Sequence, residues 1–111
     1  MTSLNDRLRG IGEGFGSVLR RTYHYHKHER AKAPFAVWHE GGEPGQVYTD
    51  TEKAEQAIEG YLDLYTLDEF DPLIDAFQEK LNETMERWFL SSVTYEDDTK
   101  LIHYSWEWTK Q

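Results

Sequence analysis

The sequence predicts a small α+β domain: one mostly antiparallel sheet of four or five strands, packed by one major amphipathic helix, with a short N-terminal helix. Three observations predict this fold. The 111 residues are the size of a single domain, 1–111. Apolar residues recur at helical spacing over 70–81 and alternate at a period of two in several other segments. Aromatic residues make up 14% of the chain, so few positions can bury much surface.

Segment 1–17 combines a helix start with a run of glycines. Ser3 can cap a helix over residues 3–12, and Asp6 falls in its first turn. Every second residue from 10 to 16 is glycine, which disfavours helix. We therefore expect a short helix followed by a mobile glycine-rich loop.

Two strands are expected next. Residues 18–28 alternate tyrosine with histidine over 23–26, and Pro34 opens a second strand over 35–39. We expect these strands to form a hairpin, and we expect residues 41–45 to form a loop because they are rich in glycine. The second strand has two faces, one with Phe35, Val37 and His39 and one with Ala36 and Trp38.

The segment 52–66 carries mixed signals. Its first half favours helix by propensity, whereas its second half has apolar or small residues at a period of two. We predict a strand over roughly 55–66. The residues that share its buried face are Ile58, Gly60, Leu62 and Leu64.

The clearest helix signal covers 70–81. Acidic residues at its start suit the positive end of the helix dipole, and Pro72 is tolerated only near that start. The acidic residues are Asp68, Glu69 and Asp71. The apolar stripe consists of Phe70, Leu73, Ile74, Phe77 and Leu81.

The C-terminal segments 88–95 and 101–109 predict a second hairpin with a turn at 96–99. One face of its first strand is expected to hold Phe89, Ser91, Val93 and Tyr95. One face of its last strand is expected to hold Ile102, Tyr104, Trp106 and Trp108. That aromatic face could stack nucleic-acid bases or sugars. Packing on the helix is favoured, because the amphipathic helix needs an apolar partner.

Composition excludes several classes of site. The chain has no cysteine, which rules out disulfides, thiolate metal sites and cysteine nucleophiles. The net charge is −9: residues 1–34 hold seven Lys/Arg against three Asp/Glu, and the remainder holds five against eighteen. General nucleic-acid binding needs a dominant basic face and is disfavoured. The N-terminus lacks a signal-peptide pattern and no apolar run suits a membrane span, so we expect synthesis in the cytoplasm.

No motif predicts an enzyme or a cofactor. The weak metal candidate is a histidine cluster, since on a strand His24, His26 and His28 would point the same way. Three such positions spread too far to converge on one ion, and Lys27 adds positive charge, so a solvated or interfacial strand is the favoured interpretation. Acidic residues at the 96–99 turn have a sufficient explanation in turn preference.

The order of these features resembles the tail-terminator proteins of long-tailed phages, the tail-completion or head–tail joining group. The likeness covers about residues 18–108. The chain has Asp50-Thr51 where the family typically has an aspartate–asparagine pair. The segments that carry the likeness are 18–25, PFAVWHE at 34–40, YTD at 48–50, YLDLYT at 61–66, the helix at 68–81, SVTYE at 92–96 and HY at 103–104.

The resemblance implies a structural, non-enzymatic role without cofactors. Such proteins form a ring, usually a hexamer, that caps the tail tube, ends its polymerisation and joins it to the head. The implied partners are other copies, the tail-tube protein and a head-completion or connector protein, while DNA passes through the lumen without specific binding. The implied location is the head-proximal end of the virion tail, assembled in the host cytoplasm. The candidate interface residues, basic on one side and acidic on the other, are Arg20, Arg21, Lys27, Glu96, Asp97 and Asp98.

Three alternatives stay open from the residues. The chain could be another small connector or tail protein. It could be an adaptor that binds a partner through an exposed aromatic patch. The least favoured alternative is a small metal-dependent enzyme that uses His24 and His26.

Overall fold

A computed structural model describes residues 3–41 and 57–111. The predicted α+β fold is confirmed: a five-stranded sheet in the order β1-β2-β3-β5-β4 carries two helices on one face. Neither of these two helices, the ones within the described residues, has the length and apolar character needed to cross a membrane. The elements are α1 (Leu4–Val18), β1 (Thr22–His24), β2 (Phe35–Glu40), β3 (Ile58–Thr66), α2 (Pro72–Thr84), β4 (Arg87–Tyr95) and β5 (Ile102–Lys110).

The core lies between the sheet and the two helices. Phe15 of α1 makes edge-on ring contacts with Trp38 and Trp108, and Phe77 of α2 lies against Trp106. Trp106 and Trp108 are almost completely buried, which confirms that this aromatic face packs on the helix. The predicted alternation of β3 is also confirmed. The loop expected at 41–45 lies, apart from Gly41, outside the described residues, as do 48–50.

Helix α1 corrects the prediction for the N-terminal segment. The helix runs through all four glycines to Val18, so the glycine-rich loop expected after residue 12 is wrong. Burial of Ile11 and Phe15 on the sheet outweighs the poor helix propensity of glycine. A Cβ atom at Gly12 would lie 3.0 Å from the Trp38 ring, so a small residue here lets the helix lie close to the sheet.

Strands β1 and β2 are parallel, so the hairpin predicted between them is wrong. Thr22 pairs with Ala36 and His24 with Trp38. The strand expected over 18–28 shrinks to three residues, because Tyr25 adopts a left-handed backbone with φ of 74°. The connection 25–34 returns the chain to the end of the sheet at which β1 began. The other three strand pairings are antiparallel, as expected.

Helix α2 begins two residues later than the apolar stripe suggested. Asp71 is its N-cap, and its side chain accepts a hydrogen bond from the Leu73 amide at 2.8 Å. Pro72 takes the first helical position, where its missing N–H is not needed. Asp68 and Glu69 therefore precede the helix and do not belong to its first turn. Phe70 does not join the buried stripe, as described below.

The C-terminal hairpin is confirmed, but its first strand contains a β-bulge. The register between β4 and β5 shifts between Leu90 and Ser92. A bulge moves the following side chains to the other face of a strand. Phe89 consequently shares a face with Glu107, whereas Val93 shares the helix side with Tyr104. The single face predicted for residues 89, 91, 93 and 95 is therefore wrong.

Candidate assembly surface

Strand β4 forms an exposed edge of the sheet. All of its residues except Trp88 are exposed, and four of them are large and apolar. A long apolar edge strand invites pairing with another chain. The bulge limits that pairing here, and the Ser91 hydroxyl donates to the Ser105 carbonyl at 3.0 Å. A partner at this edge would therefore contact the side chains of β4 and would not find a continuous row of free backbone N–H and C=O groups. The exposed apolar residues are Phe89, Leu90, Val93 and Tyr95.

An apolar surface, which we call the hairpin patch, lies on the helix side of β4 and β5. Helix α2 starts beside Thr66 and ends near the start of β4, where Lys110 Nζ donates to the Thr84 carbonyl at 2.9 Å. This diagonal path covers Trp106 but leaves the far half of the hairpin accessible. Contiguous accessible apolar surface of this kind is typical of interaction sites. The hairpin patch consists of the exposed residues Leu90, Val93 and Tyr95 and the half-buried residues Ile102 and Tyr104.

The loop 67–70 lies at the same end of the sheet as the far half of the hairpin, because Thr66 pairs with Ile102. It presents Leu67 and Phe70, whose exposed fractions are 56% and 86%. A buried polar frame anchors both ends of the loop. The Thr66 hydroxyl donates to Asp71 Oδ2 at 2.5 Å and accepts from the Asp68 amide at 3.1 Å. The frame fixes the Phe70 ring facing outward, so the predicted place of Phe70 in the buried stripe is wrong.

Basic side chains gather at the opposite edge of the sheet, beside β1. Arg20 and Arg21 directly precede β1, and Arg21 Nε donates to the Pro34 carbonyl at 3.0 Å. Lys27 Nζ lies 5.9 Å from the centre of the Phe35 ring. The structure thus brings together the three basic candidates that the sequence singled out.

The acidic candidates Glu96, Asp97 and Asp98 form the exposed turn between β4 and β5. Strands β4 and β1 are the two outer strands, so this turn is separated from the basic edge by the width of a five-stranded sheet, about 19 Å. The two groups of charge do not meet within one chain. They can meet only between two copies.

The predicted histidine cluster does not form a shared face. Strand β1 ends at His24, and the left-handed Tyr25 turns the chain before His26 and His28. His24 Nε2 lies 2.7 Å from Glu40 Oε1, and the His24 ring is stacked between Tyr25 and Trp38 with centroid distances of 3.8 and 3.9 Å. Across residues 3–41 and 57–111, no three His, Asp or Glu side chains converge to hold a metal.

Glu40 is the buried centre of this cluster. Burial raises the pKa of its carboxyl, but hydrogen bonds from Tyr25 and His24 outweigh burial, and the pKa lies below the ordinary 4.5. The hydrogen bond to Glu40, followed by burial, raises the pKa of Tyr25 to about 12. A lowered carboxyl pKa contributes stability that is present above pH 4.5 and lost as the pH falls below it. A raised tyrosine pKa contributes stability that is lost as the pH rises from 10 through about 12.

Glu40→Gln should therefore return the pKa of Tyr25 towards 10 and flatten the acid-side loss of stability. Ultraviolet titration of the tyrosines and denaturant unfolding across pH measure both effects. Tyr25→Phe identifies the titration step of Tyr25. Asp63→Asn, which removes a carboxylate near Tyr65, is the matched control and should leave the step of Tyr25 in place. An unchanged Tyr25 titration in Glu40→Gln would contradict the assignment.

The sheet face opposite the helices carries stacked rings and negative charge. Tyr65 stacks between Phe35 and His103, with centroid distances of 4.8 and 4.3 Å, and His103 Nε2 lies 2.9 Å from Asp63. Burial, Asp63 and Glu96 together raise the pKa of Tyr65 to about 12. The negative charge on this face of the sheet disfavours the binding of phosphate. The stack joins residues from three strands, so alternation within each strand could not reveal it.

Comparison with known proteins adds no family assignment. The sequence matches no protein-family model and no curated protein. The resemblance to tail terminators therefore stays a prediction.

Proposed function

We propose that the protein is a structural assembly protein that associates with copies of itself head to tail, and that the resulting ring caps the tail tube of a long-tailed phage. The observation that carries this proposal is the hairpin patch together with the loop 67–70. The two features place large exposed apolar side chains at one end of the sheet. An apolar surface that is accessible in the isolated chain is typical of a site that a protein partner covers.

The charge distribution supports a second copy as that partner. Residues 1–34 carry a net charge of +4 and the remainder carries −13. The basic edge beside β1 and the acidic turn at 96–98 are on opposite sides of the sheet. A contact between two different surfaces of the same molecule is heterologous, and it forms a ring when the rotation closes. Opposite charges also steer such an encounter.

The ring would end polymerisation of the tail-tube protein and present its other side to a head-completion or connector protein. The open sheet face supports passage of DNA without specific binding. Glu59, Asp63 and Glu107 are on that face, and their negative charge repels phosphate. In this proposal the protein works at the head-proximal end of the tail, after assembly in the host cytoplasm.

Val93→Lys tests the proposal because it places a charge in the hairpin patch. We expect the substitution to weaken self-association on the order of 30-fold, the effect of losing one central interface contact. Light scattering gives the oligomer mass, and negative-stain electron microscopy shows whether rings form, with and without the tail-tube protein of the same phage. Ser92→Lys, one residue away and on the other face, is the matched control and should leave the mass unchanged.

Reversal of the basic edge gives an independent measurement of the same association. Arg20→Glu together with Arg21→Glu should weaken ring formation if the basic edge meets acidic residues of a neighbour. A wild-type protein that stays monomeric both alone and with the tube protein would contradict the proposed function.

An adaptor that binds a different protein is the second candidate. The hairpin patch also favours it, since an apolar surface does not by itself specify its occupant. A strictly monomeric protein whose binding to another protein depends on Val93 would support the adaptor and not the ring.

A further inference from the structure

We infer that the loop 67–70 of one copy docks into the groove between α1 and β1 of the next copy, with the Phe70 ring as its anchor. The inference depends on the proposed self-association and names the two surfaces that meet. One surface is an outward-facing ring and the other is an aromatic-lined groove, and each chain carries both.

Phe70 has the features of an interface anchor. Its side chain is 86% exposed, and its backbone has φ of 60°, in the left-handed region that favours glycine. A bulky residue in that region costs roughly 1–3 kcal/mol and persists only where the surroundings enforce it. The buried Thr66–Asp71 frame supplies the enforcement. Packing among residues 3–41 and 57–111 does not account for such a ring, whereas docking into a partner does.

The receiving groove lies between α1 and β1 and has a volume of about 560 Å³. A cavity of about 150 Å³ holds a benzene ring, so a phenyl side chain and its backbone fit. Gly12 keeps the groove open towards the Trp38 ring, since a side chain there would meet that ring. The residues that give the groove its apolar and aromatic lining are Leu8, Gly12, His24, Tyr25 and Trp38.

Charge decides between this groove and another one on the molecule. Asp68 and Glu69 directly precede Phe70, so the loop is acidic. The alternative groove, of about 510 Å³, is lined by three glutamates, Glu59, Glu86 and Glu107, against one cation, Arg87, and this excess of negative charge would repel the loop.

The groove beside α1 lies on the basic edge. Arg9 and Glu13 on its rim carry opposite charges, and Arg9 also lies 3.3 Å from Asp6. The attraction for the acidic loop is therefore assigned to Arg20 and Arg21, which are outside the groove but precede β1 on the same edge. The loop and the groove have no residue in common, so one copy can use both at once, as a heterologous ring requires.

Disulfide trapping tests the contact directly, because the chain has no cysteine of its own. The variant with Glu69→Cys and Arg9→Cys should give a ladder of covalent oligomers after oxidation, seen on a non-reducing gel. The control pair, Glu69→Cys with Glu86→Cys, places the second thiol in the acidic groove and should give none. A ladder from the control pair, or no ladder from the first pair while the wild type is oligomeric, would overturn the inference.

Removal of the anchor gives a second readout. Phe70→Ser should weaken self-association at least about 30-fold without loss of folding, because the ring is exposed. Phe89→Ser, the same change at an exposed ring on the other sheet face, should have no effect. An oligomer mass that is equal in wild type and Phe70→Ser would reject the anchor and leave the proposed ring standing. A monomeric wild type in the presence of the tube protein would reject both.

Discussion

Gly60→Ala is expected to destabilise the fold by about 3 kcal/mol, the upper part of the usual range for an added methyl group in a packed interior. Gly60 lies in β3, where it pairs with Glu40 of β2 on one side and Trp108 of β5 on the other. A Cβ atom there would overlap the His39 carbonyl oxygen and the Trp108 ring. The carbonyl belongs to the backbone of a central strand pair, so it cannot move without disturbing the sheet. Denaturant unfolding, or a melting temperature lowered by more than about 10 °C, would show the effect.

Gly10→Ala is the matched control for that experiment. The residue is inside α1, and no described atom beyond the neighbouring turns of that helix lies within 4 Å of the position of its Cβ atom. Alanine is favoured over glycine in a helix interior, so stability should rise by about 1 kcal/mol. Substitution by alanine should thus lower the stability at Gly60 and raise it at Gly10. Equal or negligible effects on stability at both positions would contradict the close packing of β2, β3 and β5 around Gly60.

The periodic spacing of apolar residues correctly predicted the buried faces of α2 and β5. Phe77 and Leu81 follow the helical period of α2, and Trp106 and Trp108 follow the period of two in β5, and all four are buried. These patterns work because each records which side of an element meets the core. The fold class follows from them, since one amphipathic helix and several half-buried strands can bury their apolar faces only against each other.

Features set by contacts between distant segments were not predictable in this way. The glycines of α1 weaken a helix by propensity, and only the nearby Trp38 ring shows why a glycine suits position 12. The bulge at Ser91 adds one residue to β4, and the pattern of residues in that strand does not indicate it. The parallel pairing of β1 and β2 depends on the path of the connection, which the strands themselves do not encode.

The candidate assembly surface was only partly predictable from the sequence. Charge counting found Arg20, Arg21 and Lys27 as a basic group, and the structure places them at one edge of the sheet. Phe70 fits the helical spacing of α2, and that spacing predicts a buried ring. Its exposure follows from the N-cap at Asp71, because the helix begins after Asp71 and Phe70 therefore lies outside it.

Asp71→Ala is expected to lower the free energy of unfolding by roughly 2–4 kcal/mol, the sum of a lost helix cap and a buried hydroxyl left without an acceptor. Asp71 is 7% exposed and Thr66 is fully buried, so water cannot replace the lost carboxylate. The loss should appear in denaturant unfolding. Asp71→Asn keeps an oxygen for the Leu73 amide and offers an N–H to the Thr66 oxygen, so its effect should be smaller.

A double-mutant cycle separates the cap from the buried pair. Thr66→Val combined with Asp71→Ala removes both partners, so the double variant should lose less stability than the two single variants added together. Strict additivity would mean that the hydrogen bond between Thr66 and Asp71 contributes nothing. Because this pair also fixes the loop 67–70, Asp71→Ala should weaken self-association as well. Phe70→Ser should weaken self-association and leave the free energy of unfolding unchanged. This contrast with Asp71→Ala distinguishes the role of the Phe70 ring from that of the Thr66–Asp71 pair.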